Sequence, residues 1–124
     1  MRRFALKYVT LTSCVIAALA IGTTPALAEE IEKKDLFLEQ IGGRKLVQAD
    51  SWVMISVDGK VKGQGPKKGK ITGDWTWKGR YYCRDITIDG VTLPHDCQTV
   101  SKKGDTVTFT HKKGEGVSVS WIIK

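Results

Sequence analysis

Thr106-Val107-Thr108-Phe109-Thr110-His111 and, a short turn later, Val117-Ser118-Val119-Ser120-Trp121-Ile122-Ile123 decide the fold. In the first stretch Val107, Phe109 and His111 share one face, with threonines on the other. In the second, Val117, Val119, Trp121 and Ile123 alternate with Ser118, Ser120 and Ile122. A repeat of two residues is that of a β-strand, whose side chains point alternately to opposite faces. Apolar groups on one face and hydroxyls on the other describe a sheet packed on one side and wet on the other. Between the two stretches, Lys112-Lys113-Gly114-Glu115-Gly116 supplies the glycines of a reversal.

Similar short runs, rich in Val, Ile, Thr, Trp and Tyr, extend back through the chain. They predict strands at 44–49, 52–57, 60–64, 70–77, 80–88, 91–101 with a bend, 105–111 and 117–123. Asp58-Gly59 and Asp89-Gly90 are hairpin signals, because the tight primed turns require positive φ. Lys78-Gly79 and Lys103-Gly104 mark further turns. Ahead of the strands, Asp35 is placed to cap a short helix over residues 36–41, which Gly42-Gly43 ends. So short a helix needs a partner to pack against. The expected fold is mainly β: one small antiparallel meander closing as a barrel or sandwich, with one short N-terminal helix at an end or on the open side. No repeat, low-complexity tract or interdomain linker interrupts it.

Residues 1–28 read differently. Arg2, Arg3 and Lys7 are followed by an apolar stretch from Val15 to Ile21, then Pro25 and Ala26-Leu27-Ala28 before Glu29-Glu30. This charge, apolar core and small-residue ending is the pattern of a secretory signal, with cleavage after Ala28. A membrane span needs about 20 apolar residues, and Gly22-Thr23-Thr24-Pro25 breaks the run too early. Leu11-Thr12-Ser13-Cys14 has the form of a lipoprotein signal, but the apolar stretch follows Cys14 instead of preceding it. The expectation is a periplasmic or secreted domain at 29–124, with no transmembrane anchor after cleavage.

The leader holds three basic residues and no acidic one, so of the chain's +7 the remainder keeps +4. That is a modest charge, compatible with anionic surfaces and too weak to indicate nucleic acid. Cys83 and Cys97 remain after the leader is removed. A pair of cysteines in an oxidising compartment most simply forms a disulfide. A catalytic redox pair usually has a Cys-x-x-Cys spacing, which this is not.

Gly73-Asp74-Trp75-Thr76-Trp77-Lys78-Gly79-Arg80-Tyr81-Tyr82-Cys83-Arg84 is the densest segment for chemistry. Period two puts Trp75 and Trp77 on one face. It puts Tyr81 with Cys83 on one face of the next strand, and Tyr82 with Arg84 on the other. Large aromatics of this kind build cores; the alternative is an aromatic platform for a ligand. Arg80 and Arg84 either grip a carboxylate or phosphate, or stack and pack their stems. The candidate ligand-binding residues are therefore Trp75, Trp77, Tyr82, Arg80 and Arg84. Lys67-Lys68 and Lys112-Lys113 fall at one end of the drawn sheet and Lys102-Lys103 at the other. Such turn lysines form a basic rim or simply a solvated one.

His95-Asp96-Cys97 has the look of a ligand cluster, but an oxidised Cys97 is no ligand, and zinc needs three or four. No metal or cofactor is expected. No Gly-x-Ser-x-Gly elbow occurs. Gly63-Gln64-Gly65-Pro66-Lys67-Lys68-Gly69 opens no helix and so is not a phosphate loop.

The order Phe37-Leu38, Gly43-Arg44-Lys45-Leu46, Asp58-Gly59-Lys60-Val61-Lys62-Gly63, Gly73-Asp74-Trp75-Thr76-Trp77, Tyr82-Cys83-Arg84 and Asp96-Cys97-Gln98 resembles a family of small exported alphaproteobacterial proteins. The resemblance covers nearly all of residues 29–124 and is most specific at the tryptophan pair, Tyr82-Cys83-Arg84 and Cys97-Gln98. It implies the β fold and the disulfide, and carries over no catalytic residue. Members often bear the label dihydrodipicolinate reductase. That reaction needs a nicotinamide dinucleotide site, built from a strand, a glycine-rich turn and a helix in a parallel sheet, and the sequence has no such unit.

The function these readings favour is an exported, non-catalytic β-domain that binds a small ligand or an anionic envelope component. One alternative is a protein inhibitor similar in plan to periplasmic lysozyme inhibitors, although a +4 domain would be repelled by a basic lysozyme. An enzyme, whether the labelled reductase or a hydrolase, is the least favoured.

Overall fold

A computed structural model describes residues 27–124. The expected leader, Cys14 included, lies outside the described residues except for its last two positions. The elements run β1 (Glu29–Ile31), α1 (Lys34–Gln40), β2 (Lys45–Gln48), β3 (Ser51–Ile55), β4 (Lys60–Gln64), β5 (Lys70–Lys78), β6 (Tyr81–Ile88), β7 (Val91–Thr92), β8 (Asp96–Lys103), β9 (Thr106–Thr110) and β10 (Ser118–Ile123).

All strand pairings are antiparallel, in the order β8-β9-β10-β2-β3-β4-β5-β6, and β6 then pairs back onto β8. Eight strands thus close into a barrel, the first of the two forms the alternation allowed. Closure removes the exposed edges that would template aggregation. In the β9–β10 pair Val107 faces Trp121 and Phe109 faces Val119, so both apolar faces turn inward together.

The closing seam is short. Only Tyr82↔Gln98, Cys83↔Cys97 and Arg84↔Asp96 pair across it. Beyond Gln98 the same edge of β8 is taken by β1, through Ile31↔Val100, Glu30↔Ser101 and Glu29↔Lys102. Arg80, in the turn before β6, ties to Glu30 of β1 (3.1 Å) and to Glu32 just after it (3.6 Å). In the middle of the seam the Cys83 and Cys97 sulfurs are at bonding distance, 2.10 Å. A cross-link closing a loop of this size contributes about 3 kcal/mol in the chain-entropy model.

The helix closes one end. Phe37 and Ile41 are fully buried. The Phe37 ring lies 5.2 Å from Trp75, 5.2 Å from Trp77 and 5.5 Å from Tyr82. Tyr82 in turn meets Phe109 at 5.3 Å. An aromatic column therefore runs from the helix to mid-barrel, joined by Leu46, Ile55, Val61, Val100, Val107 and Ile123 in one core. Gly73 lets β5 coil tightly against β6. A Cβ there would strike the backbone carbonyl oxygen of Asp85, so only glycine permits the approach.

Three local expectations need correction. The helix begins at Lys34 with Lys33 as its N-cap and no side-chain cap hydrogen bond, so Asp35 is not the cap. It lies in the first turn instead, where its charge suits the positive end of the helix dipole. The strand expected over 91–101 is two strands, β7 and β8, separated by Leu93-Pro94-His95. Pro94 has no N–H to give a ladder, which accounts for the break. Residues 29–35, whose run of charges predicts a frayed or loosely attached segment, instead supply β1 and the start of α1, and β1 covers the edge of β8 that β6 leaves free. No described helix is long and apolar enough to cross a membrane.

Candidate functional site

Inward-facing residues become more exposed with distance from the helix. Along β6, Tyr82 and Arg84 are buried while Ile86 and Ile88 are half-buried. Along β9, Val107 and Phe109 are buried and His111 is half-buried. Along β10, Ile123 is buried while Trp121 and Val119 are half-buried. One end is thus packed solid, and the other is a mouth leading into a cavity of about 190 Å³. Its floor includes Ile55, Val61, Tyr82 and Phe109; its walls include Val53, Ile86, Leu93, Val119 and Trp121. Arg84, Gln98 and His111 are its polar members.

Arg84 is 7% exposed and makes no ion pair among the described residues. Its Nη1 donates to the Pro94 carbonyl oxygen at 2.8 Å. Asp96, which faces Arg84 across the seam, makes its hydrogen bonds to other groups. Asp96 Oδ2 accepts from Gln98 Nε2 (2.9 Å) and lies 3.0 Å from His111 Nδ1, while Oδ1 accepts from the Lys112 backbone N–H (3.1 Å). A guanidinium with five donors, held in an apolar cavity with the Asp96 carboxylate near enough to feel its charge but not within ion-pairing distance, is an unusual arrangement, since buried charges are normally paired directly.

Burial alone would raise the Asp96 pKa. The hydrogen bonds from Gln98 and Lys112, with the charges of His111 and Arg84, outweigh it and hold the carboxyl below the ordinary aspartate value. A depressed folded-state pKa means stability that is present above the unfolded value and lost as pH falls through the folded one. Asp96→Asn should therefore flatten the acid limb of the stability profile below about pH 4. Urea midpoints measured from pH 6 to pH 2 check this; an unchanged acid limb would contradict it. Burial pushes the Tyr82 phenol far up, so this floor residue stays neutral.

The mouth also concentrates unusual backbone. Among the described residues, the positive-φ residues other than glycine are Ala49, Lys67, Lys68, Asp89, Lys112 and Lys113, at 47°, 59°, 61°, 49°, 53° and 55°. All lie in reversals at the mouth end. The reversals at the helix end use Gly59, Gly79 and Gly104 instead. Left-handed non-glycine residues are costly and gather at functional loops. The rim so formed carries Lys67, Lys68, Lys112 and Lys113, but also Asp50, Asp89 and Glu115, so its charge is mixed. Lys102-Lys103 sits at the helix end.

Of the residues expected to bind ligand, Tyr82 and Arg84 line the cavity. Trp75 and Trp77 pack on Phe37 at the closed end, their Nε1 groups donating to Ser56 O (2.7 Å) and Gly79 O (2.8 Å). Arg80 lies on the outside against β1. Asp96, Gln98, His111, Phe109 and Trp121 were not among the expected site residues. Alternation with Val107 and with Val119 places Phe109, His111 and Trp121 inward; Asp96 and Gln98 are placed only by their pairing with Arg84 and Tyr82 across the closed seam. Comparisons with family models, with curated proteins and with solved structures find no match to this chain.

Proposed function

We propose that this chain is an exported, non-catalytic binding module whose barrel mouth takes a small amphipathic anion, its apolar part in the cavity and its carboxylate, sulfonate or phosphate on Arg84. The observation that carries the reading is the buried Arg84 guanidinium, which makes no direct ion pair among the described residues and lines a largely apolar cavity. An anionic group there would receive charge-assisted hydrogen bonds in a low-dielectric setting, where they are strongest. The volume fits a single ring or a short acyl chain, since a dry cavity of about 150 Å³ accepts benzene. Export rests on the leader pattern of residues 1–28 and is consistent with the disulfide. An antiparallel barrel is also a different architecture from the parallel sheet that a nicotinamide dinucleotide requires, which weighs against the reductase label.

The test is calorimetric titration of hexanoate against hexan-1-ol, which share the alkyl chain and differ in charge. A charged-group hydrogen bond contributes about 1.5–3 kcal/mol, so hexanoate should bind about tenfold to a hundredfold tighter. Equal affinity, or no binding by either, would overturn the reading.

A further inference from the structure

The outer face of the seam holds a second cluster, unrelated to the cavity. Cys83 and Asp85 project outward from β6, and His95 and Cys97 from the approach to β8 and its start. Cys83 Sγ, Cys97 Sγ and a His95 ring nitrogen all lie within 4.8 Å of one another. His95 Nε2 is 3.7 Å from Cys97 Sγ, while its Nδ1 is 2.9 Å from Asp85 Oδ1. An ionised carboxylate only accepts, so Asp85 fixes the proton on Nδ1 and leaves Nε2 turned towards the sulfurs. A carboxylate on the far nitrogen is the usual second partner of a metal-bound histidine.

We propose that reduction of the Cys83–Cys97 disulfide by a dithiol turns this face into a binding site for a thiolate-seeking divalent cation of the zinc class. In the reduction the S–S bond breaks, two thiols form, and the dithiol is oxidised to its own disulfide. The metal then displaces both thiol protons and is held by Cys83 Sγ, Cys97 Sγ and His95 Nε2, with a fourth position open to water. Tetrahedral bonds of about 2.3 Å to sulfur and 2.0–2.1 Å to nitrogen put neighbouring S and N ligands about 3.6 Å apart. His95 and Cys97 already stand close to that separation; Cys83 Sγ, 1% exposed, lies within 4.8 Å of the ring nitrogen and has to part from Cys97 Sγ to complete the set. The oxidised protein has no thiolate to offer, and cation binding is therefore gated by redox state. The site would hold the two edges of the seam together by coordination where the disulfide holds them covalently.

The experiment is anaerobic titration of Co²⁺ into the purified protein, before and after reduction with a phosphine. The reduced protein should show thiolate-to-cobalt charge-transfer absorption and tetrahedral visible bands at one equivalent; the oxidised protein should show neither. Asp85→Asn should weaken binding about tenfold to a hundredfold, and His95→Ala at least as much. If reduction loosens the barrel, one equivalent of Zn²⁺ should restore its circular dichroism and melting transition. Equal cobalt spectra in both redox states, indifference to His95→Ala, or a loosened barrel that zinc does not restore would each overturn the proposal.

Discussion

Phe37→Ala is expected to destabilise the protein by about 3–5 kcal/mol, the range for truncating a fully buried phenylalanine. Phe37 is 0% exposed and meets three other aromatic rings. Its removal leaves a void at the closed end that the barrel walls are too tied by hydrogen bonds to fill. The helix has seven residues and no side-chain N-cap, so it has little stability of its own once its anchor is gone. For a domain of this size each kcal/mol moves the melting temperature by about 4–8 °C. A fall of at least about 12 °C is therefore expected. Thermal unfolding followed by tryptophan fluorescence measures it; a fall of only a few degrees would mean that the helix does not plug the barrel.

The second large effect has opposite signs on stability and on binding. Arg84→Met should leave the melting temperature unchanged or raise it, because replacing a buried charge by an apolar side chain of similar volume is often neutral or stabilising. The same change should abolish the preference for hexanoate over hexan-1-ol, since nothing else in the cavity is a fixed cation. A residue kept for packing or for a hidden ion pair would behave the other way: its loss would destabilise the fold and leave ligand preference untouched. The pair of measurements therefore separates a binding role for Arg84 from a structural one.

Most of the barrel was legible in the sequence, because its strands obey two local rules. Alternation fixed the faces of Val107, Phe109, Trp121 and Ile123, and Asp58-Gly59 and Asp89-Gly90 marked their turns. What was not legible is non-local. Nothing in Glu29-Glu30-Ile31 signals a strand; it becomes one because β6 starts too late to cover the whole of β8. Pro94 was visible, but whether it bends a strand or divides it depends on the seam beside it. Glycines beside Lys67-Lys68 and Lys112-Lys113 mark the turns, but nothing in the composition marks the lysines themselves as left-handed, a conformation usually left to glycine. Arg80 and Arg84 looked alike in sequence. Parity put Arg84 on the Tyr82 face, yet only the closed barrel shows that this face is buried while Arg80 stays outside with Glu30.

Intermolecular nuclear Overhauser effects between hexanoate and the protein's methyl groups test the central claim most directly. The account predicts contacts from the alkyl chain to Val53, Ile86, Leu93 and Val119 inside the mouth, with a shift of the Arg84 guanidinium resonance. Contacts confined to the exposed Val57 and Val91, with Arg84 unmoved, would contradict it.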